Sequence, residues 1–129
     1  MIGIWESYSD LYLYVMGAAM LVAYGLPLLF IPLRWAKIFR WEIPQEKDLA
    51  VTLGRSLGLA ISLVAIFAFR AVSNPGVKPF FFDFILWLIV GMAVIHLYGA
   101  IKKTQPVTET MEIALWVVLF VLTLCFYPL

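Results

Sequence analysis

Arg55, His96 and Glu112 are the residues of this chain whose types and positions point to chemistry. Each lies inside an apolar block that is long enough to cross a lipid bilayer. A charged side chain below the lipid headgroups costs free energy, so such residues usually pair with one another or line a site. We therefore expect the three side chains to meet, with Arg55 and Glu112 forming an ion pair.

Two further residues belong to the same expected group. Glu109 lies one helical turn before Glu112, and Tyr24 lies in the first apolar block close to Pro27. Proline has no backbone N–H, so it bends a helix and leaves the carbonyl four residues earlier, that of Ala23, without its donor. The predicted polar cluster or ligand pocket therefore comprises Arg55, His96, Glu109, Glu112 and Tyr24.

This cluster has two interpretations that the sequence leaves open. It can be an interhelical clamp that binds nothing, in which His96 makes a hydrogen bond to a carboxylate or carbonyl group. Alternatively, Arg55 holds an anionic or carbonyl oxygen of a ligand while His96 and Glu112 handle a proton.

Residue counts argue against most cofactor chemistry. The chain has one histidine and one cysteine, Cys125, too few for a tetrahedral metal site, a bis-histidine haem or a disulfide. No glycine-rich nucleotide motif is present. We therefore expect no cofactor and no metal, and assign no catalytic residue.

The composition indicates the class of protein. The chain is 64% hydrophobic and 13% charged, which is typical of a membrane protein and not of a soluble domain. A formal net charge of +1 without a basic tail argues against a nucleic-acid partner. Because a spanning helix needs about 20 residues, the sequence predicts an all-α integral membrane protein. Its single domain, 1–129, is an antiparallel bundle of four transmembrane helices at about 11–33, 49–69, 80–100 and 108–128.

A short basic segment joins the first two predicted spans. Its cations and tryptophans are interleaved, which is typical of a segment lying at the headgroup level: Arg34, Trp35, Lys37, Arg40 and Trp41. Simple anchoring and a lipid-headgroup site both fit this composition. The first and third connections hold six lysines and arginines and the second holds two, which places the former in the cytoplasm and both termini outside.

Gly54, Gly58 and Ser62 recur every four residues on one face of the second predicted helix. Small residues at this spacing allow helices to approach closely. We expect this face to pack inside the bundle, with a homodimer contact or docking to a larger complex as the alternative.

One resemblance extends over the first half of the chain. Gly25-Leu26-Pro27 and Pro32 close the first span, and Asp48 with Gly54-Arg55-Ser56-Leu57-Gly58 opens the second. In these residues the chain resembles the DoxX-like group of small four-helix bacterial membrane proteins. The resemblance implies a bacterial inner-membrane protein that accompanies redox or respiratory systems, and it transfers no catalytic residue.

Together these observations predict a non-catalytic accessory or scaffold subunit with a polar cluster on the cytoplasmic side. Its expected partners are membrane lipids and a larger membrane complex or a second copy of the chain. The alternative is a carrier or enzyme that binds a lipid, a quinone or another hydrophobic substrate in a pocket formed by Arg55, His96 and Glu112.

Overall fold

The computed structural model describes residues 1–129 and contains helices but no β-strand. A 3₁₀ turn, Glu6–Tyr8, precedes α1 (Ser9–Met20), a π-helical segment (Leu21–Gly25) and α2 (Leu26–Phe30). The remaining helices are α3 (Pro32–Ile38), α4 (Asp48–Val72), α5 (Lys78–Lys102) and α6 (Val107–Cys125). Four helical stretches are long and apolar enough to cross a membrane: Glu6–Phe30, Asp48–Val72, Lys78–Lys102 and Val107–Cys125.

The first long helix departs from regular α geometry where the proline predicts it. The π-helical segment ends at Gly25, two residues before Pro27, and the Trp35 indole N–H donates to the Ala23 carbonyl oxygen at 2.8 Å. This carbonyl is the one that Pro27 leaves without a backbone donor. The helix then ends one residue before Ile31 (φ −134°, ψ 51°), and Pro32 begins α3. The first span therefore ends three residues earlier than predicted, and the basic segment begins within a short helix.

The helices associate as two closely packed pairs. One pair is the first long helix with α4, the other is α5 with α6, and contacts between α4 and α5 are sparse. At Gly58 an added Cβ would overlap the backbone of Leu29, and at Gly54 it would lie 2.7 Å from Pro32 Cβ. Ser62, on the same face, would lie 2.6 Å from a Cβ added at Gly25. The face formed by Gly54, Gly58 and Ser62 therefore packs inside the chain, as expected.

Side chains near the start of α1 join the two pairs. Tyr12, Leu13 and Met16 pack with Phe82 and Ile85 of α5 in the main apolar core. The Tyr12 hydroxyl shares a hydrogen bond of 2.6 Å with Thr123 Oγ1 of α6. This contact fixes the relative position of the pairs at one end of the molecule.

Candidate functional site

The corner between α5 and α6 places a histidine beside two glutamates. His96 lies in the last two turns of α5, and Glu109 and Glu112 lie in the first two turns of α6. Gln105, in the short connection, donates to the His96 carbonyl oxygen at 2.9 Å and to Thr110 Oγ1 at 3.1 Å. These two bonds hold the corner closed, so the three ionisable side chains converge.

The three ionisable groups form a buried cluster, which we call the His–Glu–Glu cluster (His96, Glu109 and Glu112). His96 Nε2 lies 3.1 Å from Glu109 Oε2 and 3.4 Å from Glu112 Oε2. The exposed fractions of the three residues are 5%, 8% and 8%. One ligand atom from each residue lies within 4.8 Å of the other two. All three side chains are therefore shielded from solvent, and His96 is in contact with both glutamates.

The outer oxygens of both carboxylates accept hydrogen bonds from the other helix pair. The Tyr24 hydroxyl donates to Glu112 Oε1 at 3.0 Å, and the Trp41 indole N–H donates to Glu109 Oε1 at 2.9 Å. Tyr24 belongs to the π-helical segment, and Trp41 follows α3. Each carboxylate is therefore held at one oxygen and faces His96 with the other.

The orientation of His96 follows from its second ring nitrogen. Nδ1 lies 2.8 Å from the Met92 carbonyl oxygen. A carbonyl oxygen can only accept a hydrogen bond, so Nδ1 carries a hydrogen. In the neutral ring Nε2 then has a lone pair, and this lone pair faces the two carboxylates.

Arg55 does not join this cluster. Its side chain is exposed on α4 and makes no ion pair or hydrogen bond. The predicted pairing of Arg55 with Glu112 is therefore wrong. The physical reason is the position of α4, which packs on the first long helix and carries Arg55 on an exposed face, whereas Glu112 is buried on α6. Similar depth along two helices does not make them neighbours.

In the basic segment between the first two spans, the tryptophans and the cations differ in their contacts. Its two tryptophans make hydrogen bonds inside the protein, Trp35 to Ala23 and Trp41 to Glu109. Its three cations, Arg34, Lys37 and Arg40, are exposed and make no ion pair. The tryptophans therefore hold the segment against the rest of the protein, in addition to any role at the headgroup level.

Three contributors were not predicted from the sequence. Gln105 closes the corner, the Thr108 hydroxyl donates to the Phe39 carbonyl oxygen, and Trp116 packs its ring 5.8 Å from that of His96. A signal existed for Trp116, which follows Glu112 by four residues and so shares its helix face. The roles of Gln105 and Thr108 depend on the path of the connections, which spacing does not reveal.

A cavity between α4 and α5 lies elsewhere. It has a volume of about 690 Å³ and is lined mainly by apolar residues of α4 and α5, with Arg70 and Asn74 at its polar side. None of the five residues of the predicted pocket lines it. The predicted ligand pocket around Arg55 therefore does not coincide with this cavity.

Comparison of the chain with protein-family models, with curated proteins and with solved structures gave no match. The His–Glu–Glu cluster is the feature of this protein that points to a function. That geometry offers two carboxylates and an imidazole, all buried, with no lysine or arginine in ion-pair contact.

Proposed function

We propose that this protein is an integral membrane protein whose four long helices form an antiparallel bundle, and that it acts as a non-catalytic accessory or scaffold subunit. Its surface supports this proposal. In an 18-residue apolar window of each candidate span only 17–28% of the residues are buried within the chain, and large apolar side chains cover the outside. Such a surface fits lipid or a partner membrane helix far better than water.

The orientation proposed for the bundle puts the His–Glu–Glu cluster on the cytoplasmic side and both termini outside. The charge distribution supports it, because six lysines and arginines lie in the first and third connections and two in the second. The cluster lies at the corner between α5 and α6, and this connection contains Lys103. At the other end of the helices, Lys78 forms an ion pair with Asp10.

The observation that carries the accessory proposal is the set of hydrogen bonds between the two helix pairs at the cluster. Tyr24 and Trp41 belong to one pair and its connection, and both donate to carboxylates of the other. Together with the Tyr12–Thr123 bond, they tie the pairs at two levels. Polar contacts of this kind hold helices together in lipid, where the hydrophobic effect gives little drive for association.

The resemblance to the DoxX-like group suggests the setting in which such a scaffold works. It favours a bacterial inner membrane and an association with a redox or respiratory system. Membrane lipids and a larger membrane complex are then the expected partners.

Native mass spectrometry of the protein in a mild detergent tests this proposal against the ligand-binding alternative. The accessory role predicts that no quinone or other organic ligand is bound in stoichiometric amount. It also predicts that the protein extracted from native membranes migrates on a native gel as part of a larger complex. A bound quinone or lipid that His96→Ala removes while the helices stay folded would favour the carrier or enzyme instead.

A further inference from the structure

We infer that the His–Glu–Glu cluster binds one divalent transition metal ion, such as Zn²⁺, through His96 Nε2, Glu109 Oε2 and Glu112 Oε2. The inference goes beyond the accessory role, which needs only the hydrogen bonds that the cluster makes. It also revises the expectation of no metal. That expectation counted four protein ligands, whereas an ion with an open position needs three and completes its coordination with water.

The first argument is the convergence of three acceptors. Nδ1 of His96 donates to the Met92 carbonyl oxygen, so the Nε2 lone pair of the neutral ring faces two carboxylate oxygens at 3.1 and 3.4 Å. Lone pairs that face one another in a buried site repel unless a proton or a cation lies between them. A proton on Nε2 points at only one of the two oxygens, and it leaves two carboxylates for one positive charge.

The second argument is the absence of any other countercharge. No lysine or arginine forms an ion pair with either glutamate, and Arg55 is exposed on α4. Two carboxylates within a bilayer-depth helix bundle carry a charge that is expensive to leave unbalanced. A divalent cation neutralises both.

The third argument is the arrangement of the outer partners. Metal ligands are typically oriented by hydrogen bonds on the side away from the ion. Here Met92 orients His96, Tyr24 orients Glu112, and Trp41 orients Glu109. Each proposed ligand residue therefore has a hydrogen-bond partner on its outer side, and its ligand atom, Nε2 or Oε2, remains available to the ion.

The spacing and chemistry of the ligand atoms indicate the class of ion. A tetrahedral ion at about 2.0–2.2 Å from its ligands separates them by about 3.3–3.5 Å, close to the distances from Nε2. One imidazole and two carboxylates suit divalent ions of the first transition row. They suit less well the ions that prefer thiolate ligands or only oxygen ligands. The buried Trp116 indole N–H has no acceptor in the protein, and its ring lies 5.8 Å from that of His96. A water on the ion would place an acceptor in its neighbourhood.

Metal titration of the purified full-length protein tests this inference. Protein in detergent is stripped with a chelator and then dialysed against Zn²⁺, and the metal content is measured by mass spectrometry. Co²⁺ loading, followed by visible absorption, reports on the ligand geometry. We expect one Zn²⁺ per chain and a raised unfolding temperature. His96→Ala should lower the affinity at least 100-fold, and added imidazole should restore part of it.

Variants separate the ligands from their supports. Glu112→Gln should lower the affinity as His96→Ala does, whereas Trp41→Phe should lower it about 10-fold, as expected for an orienting partner. The exposed Glu46→Gln is the matched control and should leave binding unchanged. Circular dichroism verifies the fold of each variant.

Wild-type protein that takes up no Zn²⁺ or Co²⁺ at millimolar concentration overturns the inference, whatever the variants do. Uptake that is insensitive to both His96→Ala and Glu112→Gln overturns it as well. Other results would contradict the scaffold proposal: an organic ligand bound at the cluster, or hydrogen bonds between the helix pairs that add no stability.

Discussion

At the residue scale, Glu112 shows how one side chain serves two neighbours. Its Oε1 accepts a hydrogen bond from Tyr24 on the first long helix, while its Oε2 faces His96 on α5. A buried carboxylate oxygen without a hydrogen-bond donor costs free energy, so the Tyr24 hydroxyl stabilises the buried group at Oε1. The same division holds for Glu109, between Trp41 and His96.

Tyr24→Phe removes the donor to Glu112 and leaves the carboxylate buried. Because hydrogen bonds to charged groups contribute about 1.5–3 kcal/mol, we expect the free energy of unfolding to fall by about 2 kcal/mol. Reversible unfolding in mixed micelles measures it. Tyr14→Phe is the control, since the Tyr14 side chain is exposed and makes no side-chain hydrogen bond. Equal stability of the two variants would contradict the clamp.

At the scale of the helix, α4 and the first long helix approach closely because glycines leave room. Gly58 has the backbone of Leu29 and Gly25 where a side chain would lie, whereas Gly91 on α5 has open space around it. Both residues lie inside long helices, so their backbone conformations are alike. The difference between them is the neighbour.

Gly58→Ala should destabilise the protein, and Gly91→Ala should not. The added methyl group at position 58 meets backbone atoms that cannot move aside, and overpacking of this kind costs about 1–3 kcal/mol. At position 91 alanine has the higher helix propensity, with a gain of about 1 kcal/mol. Thermal unfolding of the two variants measures the contrast. Similar unfolding temperatures would show that the α4 contact tolerates a methyl group.

Tyr127, which follows α6, ties the end of the chain to α5. Its hydroxyl donates to Asp83 Oδ1 at 2.8 Å. This hydrogen bond, with burial and the negative charge of Asp83, raises the pKa of Tyr127 above its usual value of 10.0. The bond therefore stabilises the fold below about pH 10 and is lost as pH rises through the folded-state pKa.

Asp83→Asn should bring the ionisation of Tyr127 back toward pH 10. Ultraviolet absorption detects tyrosinate, and subtraction of the Tyr127→Phe signal isolates this residue from the other five tyrosines. If Asp83→Asn leaves the titration of Tyr127 in place, the contact does not form in solution.

At the scale of the whole molecule, two helix pairs are joined at two levels. Tyr12 and Thr123 make one connection, and Tyr24, Trp41 and the glutamates make the other. Tyr12 and Tyr24 are twelve residues apart, which corresponds to about 18 Å along a helix. The pairs are therefore fixed at both ends, as the proposed scaffold role requires.

The proposed orientation predicts the accessibility of the connections. A cysteine at position 103 should react with a membrane-impermeant thiol reagent from the cytoplasmic side only, and one at position 74 from the opposite side only. The native Cys125 is buried, so the unmodified chain serves as the blank. Labelling of position 103 from outside would reverse the topology and move the His–Glu–Glu cluster to the other face.

Several features follow directly from residue types and spacing. The apolar blocks marked four helices, Pro27 marked the irregular first helix, and His96, Glu109 and Glu112 stood out as ionisable residues within apolar surroundings. These features depend on local chemistry. Hydropathy over about 20 residues identifies a long apolar helix, and the missing backbone N–H of proline identifies the irregular turn. The predicted bounds differ from the helices by a few residues, because helix ends depend on the turns that follow.

The packing of the helices decided which of these residues meet. Hydropathy and spacing place a side chain at a depth along its own helix, but they do not say which helix lies beside it or which way it is rotated. Arg55 and Glu112 illustrate this point, since they lie on helices of different pairs. Tyr24, Trp41 and Gln105 reach the cluster because the π-helical segment, the turn after α3 and the α5–α6 corner fold back toward it. The Tyr24 and Trp41 contacts link residues far apart in the sequence, and only the three-dimensional arrangement specifies them.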